Sequence, residues 1–209
     1  MGRYLRKESN KGLSLIELII VVAIMAVLVG VLAPMFVKYV NRARAARDIN
    51  TAEEIARATN VAFALYPEAY DTWNSWEKTK EKVSVTVDGK TETYYVYLVV
   101  ANESNPINCF HGTVKEFGAS DGSTGFYGTL NEEIGVSTTK YNPALVPRLK
   151  VKKDGQIPGR NKMFGNVDTW RICKRADTGQ LEVWSADHNK YGGLPCFRVY
   201  PEPDDVYRK

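Results

Sequence analysis

The chain is poor in the residues that do chemistry. Its 209 residues include two histidines, His111 and His188, and three cysteines, Cys109, Cys173 and Cys196. The cysteines form no Cys-x-x-Cys pair, and their spacing matches no zinc site. A nucleophilic pair would have to come from His188 and Cys196, and no catalytic signature surrounds either one. No Walker pattern occurs. An enzyme is therefore not expected. A basic face is missing as well. Of the formal net charge of +4, most sits in residues 1–12, where Arg3, Arg6, Lys7 and Lys11 stand against Glu8. The rest is nearly neutral, which argues against a direct nucleic-acid site. There is no internal repeat and no low-complexity linker.

The longest absence is of charge itself. From Leu18 to Val37 no residue is ionisable, and Glu17 stands at the head of that run. Twenty residues at about 1.5 Å each give roughly 30 Å, the thickness of a bilayer's hydrocarbon core. A carboxylate at the edge of such a segment costs free energy unless it is paired or reaches water, so Glu17 is a functional candidate. The alternative is a residue resting at the headgroup boundary of an ordinary anchor. The run is long for a cleavable signal, and no small-x-small site follows it directly. Orientation is not decided by charge. Arg3, Arg6, Lys7 and Lys11 precede the segment, and Lys38, Arg42, Arg44 and Arg47 follow it, so the positive-inside rule returns a tie.

Helical periodicity continues past the apolar run. Ile49, Ala52, Ile55, Ala56, Thr59, Ala62, Phe63 and Tyr66 recur at three- and four-residue steps, the stripe of an amphipathic helix. Arg47, Asp48, Glu53, Glu54 and Arg57 are assigned to its polar face. Pro67 ends the pattern, since a residue before proline is biased away from helix. Pro34 is expected to kink the helix without ending it. A helix from Leu13 to Tyr66 would be about 80 Å long.

These features together resemble the type IV pilins and their relatives, the pseudopilins of type II secretion and of competence systems. The leader would be "MGRYLRKESNKG", cut between Gly12 and Leu13. Counted from Leu13, Glu17 is fifth and Pro34 is twenty-second, both at family positions. "LSLIELIIVVAIMAVL" is similar to the family consensus, with Leu13 replacing the usual Phe and Ala26 standing where many members have Gly. The resemblance implies cleavage and N-methylation by a prepilin peptidase at Gly12 and Leu13. It also implies a membrane assembly platform and self-association into a helical filament, with surface or other pilin partners open. The new α-ammonium of Leu13 could meet Glu17 of a neighbouring chain in a low-dielectric bundle, where the attraction is several times stronger than in water. Glu17 and Pro34 are the assembly residues on this reading.

The remainder divides into 38–66, the amphipathic continuation, and 67–209, a β-rich head after the leader (1–12) and apolar helix (13–37). After Pro67, "YPEAYDTWNSWEKTKEKV" reads as loop with a helical turn. Hairpin signals surround Asp88-Gly89, Asp154-Gly155 and Asp177-Thr178-Gly179, and Gly112 to Gly135 reads as loop. Antiparallel hairpins in series imply an α+β fold, a long helix packed on a β-meander. Trp73, Trp76, Trp170 and Trp184 are expected in the core. Cys173 and Cys196, in "WRICKR" and "PCFRVY", are the expected disulfide, with Cys109–Cys196 or three free thiols as alternatives. No cofactor is expected, although Glu202, Asp204 and Asp205 in the acidic tail offer oxygens to a calcium ion. The expectation is a subunit of a type IV pilus-like filament, held first in the cytoplasmic membrane with its soluble part outside. A secretion or DNA-uptake pseudopilin is the nearest alternative, and a single-pass anchored binding domain that never polymerises is the alternative of another class.

Overall fold

The structure is a computed structural model. It describes residues 14–75, 82–87, 90–100, 108–109, 115–118, 123–135, 146–149, 167–186 and 195–208. It has the expected α+β arrangement. Helix α1 spans Leu15–Leu65, 51 residues including Pro34. The chain falls into two units, Met1–Asn41 and Arg42–Lys209.

In the first unit the apolar side chains from Leu15 to Tyr39 stay exposed. In the second, α1 carries the predicted stripe. Ala52, Ile55, Ala56, Thr59, Ala62 and Phe63 are buried, and Ile49 and Tyr66 pack partly against the core. Asp48 is a correction to the sequence reading. It does not lie on the polar face but is 1% exposed and turned into the domain.

Tyr66 breaks the helix as the proline rule requires. The chain does not continue as loop, however, because α2 starts at once and spans Pro67–Ser75. Proline is suited to the first turn of a helix, where its missing N–H would have no partner. From α2, Trp73 stacks on Phe63 with ring centroids 4.7 Å apart. The stretch expected to be glycine-rich loop contains a 3-10 turn at Lys115–Phe117 and α3 at Gly125–Glu133. Phe126 of α3 lies 4.6 Å from Phe63 and 5.1 Å from Phe117. One aromatic knot thus ties α2, the 3-10 turn and α3 to α1.

The sheet contains β1 (Lys82–Val87), β2 (Lys90–Val100), β3 (Asn108–Cys109), β4 (Thr169–Arg175), β5 (Leu181–Ala186) and β6 (Pro195–Tyr200). Its order is β1-β2-β4-β5-β6, with β3 paired to β2. Every pairing is antiparallel. Val87 pairs with Lys90 across Asp88-Gly89, and Lys174 pairs with Leu181 across the Asp177-Thr178-Gly179 turn, as the sequence predicts. The expected hairpin around Asp154-Gly155 lies outside the described residues, as does Trp76. Successive strand residues face opposite ways. Trp170, Ile172, Val183 and Val199 join the core with α1. Arg171, Cys173, Glu182 and Trp184 alternate with them and are buried too, so β4 and β5 are covered on both faces. After β6, a short helix α4 (Asp205–Arg208) buries Tyr207, which gives the tail more structure than its polarity suggests.

Candidate assembly and processing site

Gly12 and Leu13, the expected processing site, lie outside the described residues. The first turn of α1 begins beside them. Ser14 is the residue before the helix, and its carbonyl accepts the N–H of Leu18 at 3.2 Å. Three residues on, the Glu17 Oε2 accepts the Ser14 backbone N–H at 2.8 Å. Ser-Leu-Ile-Glu is therefore the glutamate half of a capping box, in which a carboxylate one turn in satisfies a donor at the helix start. The signal was present in the sequence as S-x-x-E before an apolar run, and the membrane reading of Glu17 obscured it. The negative charge also suits the positive end of the helix dipole. So the Glu17 carboxylate has a partner within its own chain.

Pro34 sits well inside α1, and the helix continues through it. A proline offers no N–H to the carbonyl four residues before it, which here belongs to Gly30. Around Gly30 nothing lies within 4 Å of where a Cβ would stand. The Gly30–Pro34 turn therefore lacks one backbone bond and has no side-chain cover at its glycine. Glu17 and Pro34 are about 26 Å apart along the axis at 1.5 Å per residue, so they are separate features of one helix.

Asp48 was not foreseen as an anchoring residue. Its two carboxylate oxygens accept the backbone N–H groups of Arg148 and Leu149, each at 2.7 Å. That clamp holds the Val146–Leu149 segment on α1. Burial pushes the Asp48 pKa up, partly offset by the two N–H bonds and by Arg47 and Arg148. Hydrogen bonds from buried N–H groups to a carboxylate are among the stronger ones in a fold.

The Cys173–Cys196 disulfide is corrected by the sheet. Cys173 is a buried free thiol. It pairs with Glu182 of β5, while Cys196 lies on β6 near the partners of Ser185 and Ala186. One full strand separates the two, and adjacent strands are about 4.8 Å apart. The displacement along the strands adds to that gap, beyond the roughly 7 Å Cα separation a disulfide can span. Cys109 lies on β3, two strands from β4 across β2. Of the acidic tail, Asp204 accepts the Arg198 backbone N–H at 2.8 Å, and the Glu202 carbonyl accepts Arg198 Nε at 2.9 Å. Among the described residues no group of three His, Cys, Asp or Glu is placed to hold a metal.

Among the described helices, α1 is long and apolar enough to cross a membrane, and none of its most apolar window is buried. The prokaryotic N-terminal methylation motif matches residues 8–33, which spans Gly12, Leu13 and Glu17. A fimbrial protein, EcpC of Eikenella corrodens, is 28% identical over 130 residues, covering 60% of this chain and 79% of that protein. No solved structure matches. In general terms the motif implies processing by a prepilin peptidase and assembly into filaments. The methylation motif, the fimbrial relative and the exposed N-terminal helix together support a type IV pilin-like family.

Proposed function

We propose that this protein is a structural subunit of a type IV pilus-like filament, cut after Gly12 and assembled through α1. The observation that carries the reading is the uncovered apolar surface from Leu15 to Tyr39. Among the described residues nothing covers it, so water must be excluded from it by lipid or by other copies. Before assembly the bilayer serves, and afterwards the helices of neighbouring subunits do. Cleavage creates an α-ammonium at Leu13 beside the Glu17 carboxylate of an adjacent copy, and the protein acts by polymerising, with no catalytic role. The fimbrial relative favours a pilus subunit over a pseudopilin of a secretion or DNA-uptake apparatus.

The test is N-terminal sequencing of membrane fractions and of filaments sheared from cells, with electron microscopy of the same material. Filaments containing a chain that begins at an N-methylated Leu13 are expected. Intact Met1 in every fraction, with no filaments containing the chain, would support the anchored binding domain instead.

A further inference from the structure

Within the 42–209 unit the outward face of α1 is not a uniform polar surface. Glu53, Arg57, Asn60 and Ala64 are exposed and Val61 is half-buried. At about 100° per residue these five fall within about a third of the helix circumference. Tyr200, the last residue of β6, is half-buried and packs partly against the core. Together they line a groove of about 580 Å³, inside the roughly 300–1,000 Å³ range of small-molecule sites. From Glu53 to Ala64 it runs about 16 Å along the axis at 1.5 Å per residue.

The lining restricts what fits. Glu53 and Arg57 carry opposite charges one turn apart, and Arg57 Nη1 lies 3.7 Å from Glu133 Oε2 of α3. An anion would meet Glu53 and Glu133, a cation would meet Arg57, and each would be repelled. A wholly apolar ligand would strip water from Glu53, Arg57 and Asn60 without replacing their hydrogen bonds. A hydroxyl both donates and accepts, so it matches a carboxylate, a guanidinium and an amide alike. Tyr200 adds aromatic surface beside them, the kind on which the C–H face of a pyranose packs.

We propose that the groove between α1 and β6 binds an uncharged saccharide of two or three rings, with Tyr200 packing on a sugar face and Glu53, Arg57 and Asn60 bonding its hydroxyls. The site goes beyond the filament reading and lies wholly in the 42–209 unit. An open groove with few anchors is expected to bind one saccharide with a Kd of about 1 mM. A filament repeating the groove would raise the apparent affinity by about 10²–10⁴-fold, but binding by a single chain does not depend on that.

The full chain in mild detergent is titrated with lactose, maltose, cellobiose and diacetylchitobiose, and saturation-transfer NMR reads the binding. N-Acetylneuraminic acid and spermidine serve as the anionic and cationic probes. At least one neutral disaccharide should bind saturably, with the strongest transfer to ring C–H protons. E53A/N60A removes two exposed polar side chains, should keep the melting temperature of wild type, and should weaken binding about tenfold. Y200F keeps the ring and should bind within about twofold of wild type. Saturable binding of none of the disaccharides overturns the proposal. So does binding that E53A/N60A leaves unchanged, which places the sugar elsewhere. Tighter binding of N-acetylneuraminic acid or spermidine than of every disaccharide overturns the uncharged ligand. The readout needs no filament, so a chain that binds sugar but never polymerises supports the groove and contradicts the filament reading alone.

Discussion

Two carboxylates on α1 show how environment divides the work of one functional group. Glu17 is exposed at the helix start and accepts one N–H of its own chain. Asp48 is buried and clamps a distant segment with both oxygens. Replacing Asp48 by Asn keeps the size but sets an amide NH2 against a backbone N–H. A donor left unpaired in the interior costs about 1–3 kcal/mol, and D48N should lose that much on thermal or chemical unfolding. The pH dependence has a definite sign. Burial raises the Asp48 pKa above its ordinary 3.8, so the folded state holds this proton more tightly than the unfolded chain. The contribution to stability is fully present below the unfolded pKa and is lost as pH rises through the folded one. Wild type compared with D48N should therefore show its relative stability falling as pH rises through that window. A relative stability that rises there contradicts the burial of Asp48. Cys173 offers a third check at this scale. Its thiol is buried, and burial together with Glu182 pushes its pKa up. Thiol labelling should spare Cys173 in the native protein and modify it after unfolding, and non-reducing peptide maps should contain no Cys173–Cys196 peptide.

At the scale of elements, period and turn chemistry carried far. The stripe from Ala52 to Phe63, the Val87–Lys90 pairing and the turn at Asp177-Gly179 follow from local signals, and the structure places them where the sequence does. Three features were not legible, each for a physical reason. Helix α3 hides because Gly125 and Gly128 lower its helix propensity, while Phe126, Tyr127 and Leu130 form it by packing on the core. Asp48 was placed on the polar face because a charge is rarely buried without partners, and its partners lie about a hundred residues away. The cysteine pairing failed because strand order is not a local property. Cys173 and Cys196 are only two strands apart in sequence, yet β5 stands between them. At the start of α1 the S-x-x-E pattern is legible in the sequence, and the structure forms that cap between Glu17 and the Ser14 N–H.

Two predictions test the packing of these elements. Gly118 has φ +91°, and a Cβ there would come within 2.2 Å of the Thr124 carbonyl oxygen. G118A should destabilise the domain by at least about 2 kcal/mol, from left-handed strain and the clash together. Phe63 is the hub of the aromatic knot, touching Tyr70, Trp73 and Phe126. F63A should cost about 3–5 kcal/mol. Urea unfolding of both variants measures this, and a shift within error of wild type would contradict the packing.

At the scale of the whole molecule, residues 42–209 hold a core of their own, whereas the apolar residues from Leu15 to Tyr39 stay exposed. Assembly must then depend on groups that contribute little to the isolated chain. Gly12 has to fit beside the scissile bond, so G12V should leave a precursor heavier by the leader, with no filaments, on immunoblots of membranes. Glu17 is the more direct probe. Gln keeps the length and the acceptor oxygen, and glutamine serves in a capping box as glutamate does, so E17Q removes the charge while sparing the cap on Ser14. The decisive measurement counts filaments by electron microscopy in cells producing E17Q, alongside the amount of processed subunit in the membrane and the melting temperature of the domain. Normal processed levels, an unchanged melting temperature and few or no filaments are expected. Filaments as abundant as those of wild type would contradict the charge pair between Glu17 and the Leu13 ammonium, and would return Glu17 to the role of a helix cap.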